Sequence, residues 1–201
     1  MTRIHVFVEG QTEETFVREV LCPRMNIKNI YLNPILIHTS AHGKGGVTSY
    51  AKIKPQIIRK CHEDRSAYVT TMFDLYALPN DFPLRNYASA DPLTKAQKIE
   101  EAFAHDIKHH KFIPNIITHE FEALLYSDPN AFTKWFPVTL AEVMLKEKNQ
   151  FSSPEHINDS PITAPSKRIL AHCERIQKKY EKVLHGSLIA MDIGFDVIHK
   201  E

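Results

Sequence analysis

Thr2-Arg3-Ile4-His5-Val6-Phe7-Val8-Glu9-Gly10-Gln11-Thr12-Glu13-Glu14 is the stretch on which the fold turns. Ile4 to Val8 is an apolar, β-branched run that reads as a strand, and Glu9-Gly10 reads as a turn. Thr12 to Leu21 reads as a helix, with Phe16, Val17, Val20 and Leu21 on one stripe. Glu13 and Glu14 suit the positive end of its dipole. In an open α/β sheet, ligands gather where strands end and helices begin, so Glu9 is a site candidate from its position alone.

Outward from this stretch the alternation continues. Tyr31 to His38 reads as a second strand, with Pro34 confining it to an edge or a bulge. Ser49 to His62 reads as a helix with Ile53, Ile57 and Ile58 inward, and Pro55 requires that helix to begin near it. Ala67 to Phe73 is continuously apolar and β-branched, which predicts the sheet's centre. A long loop leads through Asp91-Pro92 to an amphipathic helix, Thr94 to His109, then a fourth strand, Phe112 to Thr118. Glu120 to Tyr126 starts another helix that Asp128-Pro129 stops. The expected fold is α/β, a mostly parallel sheet flanked by helices over residues 1–136. From Pro137 the pattern turns helical, at Leu140 to Lys148, Ser166 to Leu184 and Ser187 to His199. A helical C-terminal cap over 137–201 is expected there, with one compact domain as the alternative.

The bulk numbers narrow the class. At 201 residues and 43% hydrophobic, the chain buries a real core, and its formal charge of +1 gives no general attraction to polyanions. Cys22, Cys61 and Cys173 are odd in number and lack CxxC spacing, which argues against a disulfide framework and a zinc site. No apolar run approaches a membrane span and no signal-like segment opens the chain, so a cytoplasmic protein with no membrane partner is expected.

Two further acidic positions end strands as Glu9 does. Asp74 closes Ala67 to Phe73, and Glu120 and Glu122 follow Phe112 to His119. Carboxylates along one sheet edge make a pocket of hard oxygen ligands, which Mg2+ or Mn2+ selects. A single acidic residue at a strand end is more often a helix cap; Glu9, Asp74 and Glu122 together favour a metal site. Such a site would neutralise charge at phosphorus and orient a water, with Glu9 moving the proton. The loop Gly43-Lys44-Gly45-Gly46 lacks P-loop spacing but offers backbone N–H groups and Lys44 to a phosphate. Basic residues cluster at Lys52, Lys54, Arg59 and Lys60, at Lys108 and Lys111, and at Lys167, Arg168, Lys178, Lys179 and Lys182; these are solvated faces or a phosphate track.

Val8-Glu-Gly-Gln-Thr-Glu13 followed by Phe16, Tyr31-Leu-Asn-Pro34, the Gly43-Lys-Gly-Gly46 loop, Leu78-Pro-Asn-Asp-Phe-Pro83, His119-Glu-Phe-Glu-Ala-Leu-Leu125, Ser153-Pro-Glu-His-Ile-Asn-Asp159 and Ala164-Pro-Ser-Lys-Arg-Ile-Leu170 resemble the bacterial domain-of-unknown-function family 4276. The resemblance implies a divergent Toprim-like fold, shared with topoisomerases, primases and OLD-type nucleases. It implies a general acid or base at Glu9 and the first aspartate of a metal-binding pair at Asp74, with Tyr76 where the second would stand. Asp81, Glu120 or Glu122 is then expected to supply the missing oxygen ligand, and Lys44, Lys167 and Arg168 to face phosphate. It also implies nucleic acid as substrate, phage defence as a setting, and an ATPase of the ABC or SMC-like class as partner. The alternative it leaves is a noncatalytic regulatory subunit of such an ATPase. Proteins of this type continue past the last helix, so apolar surface near Ile193 and Phe195 is expected to be exposed.

Overall fold

The apolar run after Met1 forms β1 (Thr2–Val8), which in the computed structural model lies within a five-stranded sheet. The described residues are 1–38, 49–89, 91–118, 120–157 and 163–200. Beside β1 run β2 (Ile30–Leu36) and β3 (Tyr68–Asp74), and β3 also pairs with β4 (Phe112–Ile113) and β5 (Ile116–Ile117). Every pairing is parallel, in the order β2-β1-β3-β4 with β5 also on β3. The α/β expectation with a mostly parallel sheet therefore holds. Pro34 sits on the edge strand β2, opposite Val6, where only one side needs ladder bonds.

The expected fourth strand is split in two at Pro114-Asn115. Thr71 fills the break: its Oγ1 donates to the Asn115 carbonyl and accepts from the Asn115 N–H, both at 2.9 Å. Glu100 completes it by accepting the Ile116 N–H at 2.7 Å, and burial pushes its carboxyl pKa up.

Contacts divide the chain into two compact units, Met1–Thr118 and His119–Glu201. That boundary falls before 136/137 because the 3₁₀ turns Phe121–Ser127 and Pro129–Lys134 pack with the helix that follows them. In the first unit, α1 (Gln11–Phe16) runs through a π turn, Val17–Leu21, into α2 (Cys22–Asn26). The π turn precedes Pro23, which lacks the N–H that an unbroken helix would use there. α3 (Tyr50–Glu63) and α4 (Pro92–Ile107) pack on the sheet through Ile53, Ile57, Ile99 and Phe103 against Phe7, Val69, Phe73 and Phe112. Pro55 lies inside α3, beyond the first turn where it was expected. Phe103 is fully buried, with Phe82 and Phe112 edge-on at 4.8 Å.

In the second unit, α5 (Val138–Lys148) and α6 (Pro165–Arg175) are followed by a π turn, Lys182–Gly186, then α7 (Ser187–Ile193) and α8 (Phe195–Ile198). The helix expected from Ser166 to Leu184 stops at Arg175, with Gln177 in the left-handed region at φ 55°. The last helix breaks at Gly194, whose φ of 78° suits glycine. Ile193 is buried, and Phe195 is half-buried with His199 stacked on it at 5.2 Å, against the exposure expected there. Among the described residues, no helix is long and apolar enough to cross a membrane, and Cys22, Cys61 and Cys173 are free.

Candidate active site at the turning point of the sheet

Chain order and strand order disagree at one place. The connection from β1 runs to β2 on one side, and the connection from β2 returns to β3 on the other side of β1. Such a reversal opens a crevice at the carboxyl ends of the two strands, where α/β proteins bind ligands. Glu9 directly follows β1 and Asp74 ends β3. Oε1 of Glu9 accepts the Asp74 N–H at 2.8 Å, so the two residues adjoin, and both are partly exposed.

Another acidic residue lies in the helix that follows Glu9. Glu13 is buried, at the third position of α1, and a Cβ on Gly10 would come within 2.8 Å of its Oε2. The Gly10-x-x-Glu13 spacing resembles a capping box, and that was the signal available in the sequence. Its place in the first turn reads equally as that of a dipole partner.

The remaining predicted ligands have other engagements. Asp81 accepts from the Tyr50 N–H at 2.8 Å, the Ala51 N–H at 3.2 Å and Ser49 Oγ at 2.9 Å. It is thus the N-terminal cap of α3, supplied from another loop, and the Tyr50 bond leads the contacts that hold its carboxyl below the usual range. In the second unit, Glu120 accepts the Ser166 N–H at 3.2 Å, in the first turn of α6. Glu122 is wholly buried with Lys182 Nζ 3.0 Å from Oε2; burial raises its pKa against the pull of that ammonium.

Arg168 donates to the Thr163 carbonyl at 2.7 Å and lies 3.3 Å from Glu147, with its guanidinium over the Phe151 ring. Glu147 also accepts from Tyr126 Oη at 3.0 Å and has His172 Nε2 at 3.0 Å. Arg168 thus belongs to a side-chain network inside the second unit, whereas Lys167 is exposed. Lys44 and the Gly43–Gly46 loop lie outside the described residues, as does His119. Within neither unit do three His, Cys, Asp or Glu of the described residues form a metal-holding group.

The family described as Domain of unknown function (DUF4276) matches residues 8–201. The chain belongs to the DUF4276 family. No curated protein matches it. Among solved structures, this DUF4276 chain is similar to the C-terminal region of the OLD protein of Xanthomonas campestris pv. campestris. The identity is 16% and the TM-score 0.41, over 98% of this chain and 89% of that one.

The donor set of the DUF4276 crevice suits a hard cation. Glu9 and Asp74 offer carboxylate oxygens, and Mg2+ keeps most of its waters and is commonly held by one or two carboxylates.

Proposed function

We propose that the protein is a Mg2+- or Mn2+-dependent enzyme that cleaves phosphodiester bonds in nucleic acid, on a Toprim-like sheet, with Glu9 and Asp74 at its centre. The observation that supports this is the adjacency of two partly exposed acidic residues at the reversal between β1 and β3, where the Glu9 carboxylate accepts the backbone N–H of Asp74. Glu9 and Asp74 would hold the ion, which when bound supplies charge neutralisation at phosphorus and an acidified water. The Glu9 carboxylate takes the proton of the attacking water, while the Asp74 amide fixes its orientation. Asp81, Glu120 and Glu122 support the scaffold in this reading. Incubation with labelled DNA and with tRNA, with and without Mn2+, tests it: metal-dependent cleavage that Glu9→Gln removes is expected, and cleavage retained in that variant ends it.

One observation favours a second reading, a noncatalytic partner of an ABC or SMC-like ATPase. Position 76, where the resembled fold carries its second aspartate, is an exposed tyrosine. Calorimetric titration with MgCl2 and MnCl2 separates the two, since a partner module has no need of metal at Glu9 and Asp74.

A further inference from the structure

At the edge of the first unit's sheet where the strands begin, opposite the end marked by Glu9 and Asp74, three imidazoles meet. His62 lies in the last turn of α3, and His109 and His110 lie in the turn between α4 and β4. The His62 ring stands edge-on to His109 at 5.7 Å, and His110 stacks on His109 at 4.9 Å. Lys111 ties the turns together: its Nζ donates to the Arg65 carbonyl at 2.9 Å and the Ser66 carbonyl at 3.1 Å, and sits 5.6 Å from the centre of the Tyr68 ring. The Lys111 N–H donates to His109 Nδ1 at 3.4 Å, so neutral His109 carries its proton on Nε2.

The surroundings are cationic. Segments 59–65 and 108–111 hold Arg59, Lys60, Arg65, Lys108 and Lys111 against Glu63 and Asp64. Both carboxylates are already engaged, Glu63 by Lys60 at 2.7 Å and Asp64 by Arg3 at 2.8 Å and His5 at 3.2 Å. Burial first, then His110, His62 and Lys111, push the His109 pKa down. Cations suit the carboxyl ends of α3 and α4, which both finish here. Tyr68, whose ring lies under Lys111 Nζ, lines a groove of about 280 Å³ together with Thr2, Ile4, Val69, Thr70 and Ile113. Ile113 is 57% exposed and Tyr68 36%.

We propose that this edge is a binding site for single-stranded nucleic acid, separate from the cleavage centre. Phosphates meet the imidazoles, Arg65, Lys108 and Lys111, and a base lies against Tyr68 and Ile113 in the groove. The choice of nucleic acid as the polyanion rests on the reading given under Proposed function. Phosphate favours protonated imidazole, so binding takes up protons and tightens as pH falls through the histidine range.

The test is fluorescence anisotropy of the full chain with a labelled single strand of about 20 nucleotides, in EDTA at low salt. Wild type is expected to bind roughly tenfold or more tightly near pH 5.5 than near pH 8. His62→Gln/His110→Gln should lose most of that ratio with an unchanged circular dichroism spectrum, and Tyr68→Ala should weaken binding at both pH values. A double variant that keeps the wild-type ratio overturns the proposal, as does a duplex of the same sequence binding as tightly as the single strand. Cleavage surviving in Glu9→Gln would end the active-site reading and leave this binding result standing.

Discussion

Glu9 and Asp74 are joined by a hydrogen bond of 2.8 Å, running from the backbone N–H of Asp74 to Oε1 of Glu9. It laces together the carboxyl ends of β1 and β3, so the candidate base also holds the crevice in shape.

That double duty sets the choice of variant. Glu9→Gln keeps an acceptor for the Asp74 N–H and loses the base, so metal-dependent cleavage should fall by about 10²–10⁴-fold. Its stability in urea should move by no more than about 1 kcal/mol. Glu9→Ala should lose both, and a comparison of the two melts separates orientation from chemistry.

Asp81 makes a contrasting case. Asp81→Ala should lower the thermal midpoint by removing the cap from Tyr50 and Ala51, while leaving metal affinity measured by calorimetry unchanged. Its folded-state pKa is lowered, so its contribution is present above the ordinary aspartate value and is lost as pH falls through the lowered one. Asp81→Asn should show a weaker acid dependence over that range.

Lys182 and Glu122 form a pair with one buried and one half-exposed partner. Lys182→Met leaves the buried carboxylate uncompensated, a loss of up to about 3–5 kcal/mol at pH 8. Burial raises the Glu122 pKa, so the folded state binds the extra proton and stability declines as pH rises above the ordinary glutamate value. Losing the ammonium raises that pKa further, and the variant should therefore be much closer to wild type at pH 5. A loss of equal size at both pH values, by urea denaturation, would show that no titrating carboxylate is involved.

Gly10 is held by space rather than by its dihedral angle, since its φ of −142° is open to any residue. In Gly10→Ala the new methyl would meet Glu13 Oε2 at 2.8 Å, and the end of that side chain must shift, at a cost of up to about 1 kcal/mol. Adding Glu13→Ala should recover part of that loss. A double-mutant cycle with no coupling would remove the contact as the cause.

The legible part of the fold was its periodicity. The runs at Thr2–Val8 and Tyr68–Asp74 carried their strand character in adjacent residues, and Ile99, Phe103 and Ile107 marked one face of α4 by their spacing. Pro34 announced an edge strand for the same local reason. The break between β4 and β5 was not legible, because it depends on Thr71 and Glu100 reaching Asn115 and Ile116 from other elements. Of the candidate site, Glu9 and Asp74 were readable as strand ends. Glu13 was hidden because acidic residues suit a first helical turn whether buried or solvated.

The amino-acid order alone determined the places of the first three strands and of α3 and α4, and which carboxylates end strands, since those depend on neighbours a few positions away. Tertiary structure decided what each carboxylate does. Asp81 and Tyr50 are 31 residues apart, and Glu120 and Ser166 are 46 apart. A side chain accepts a hydrogen bond from whichever donor packing brings within about 3 Å, and that proximity arises only when the chain has folded.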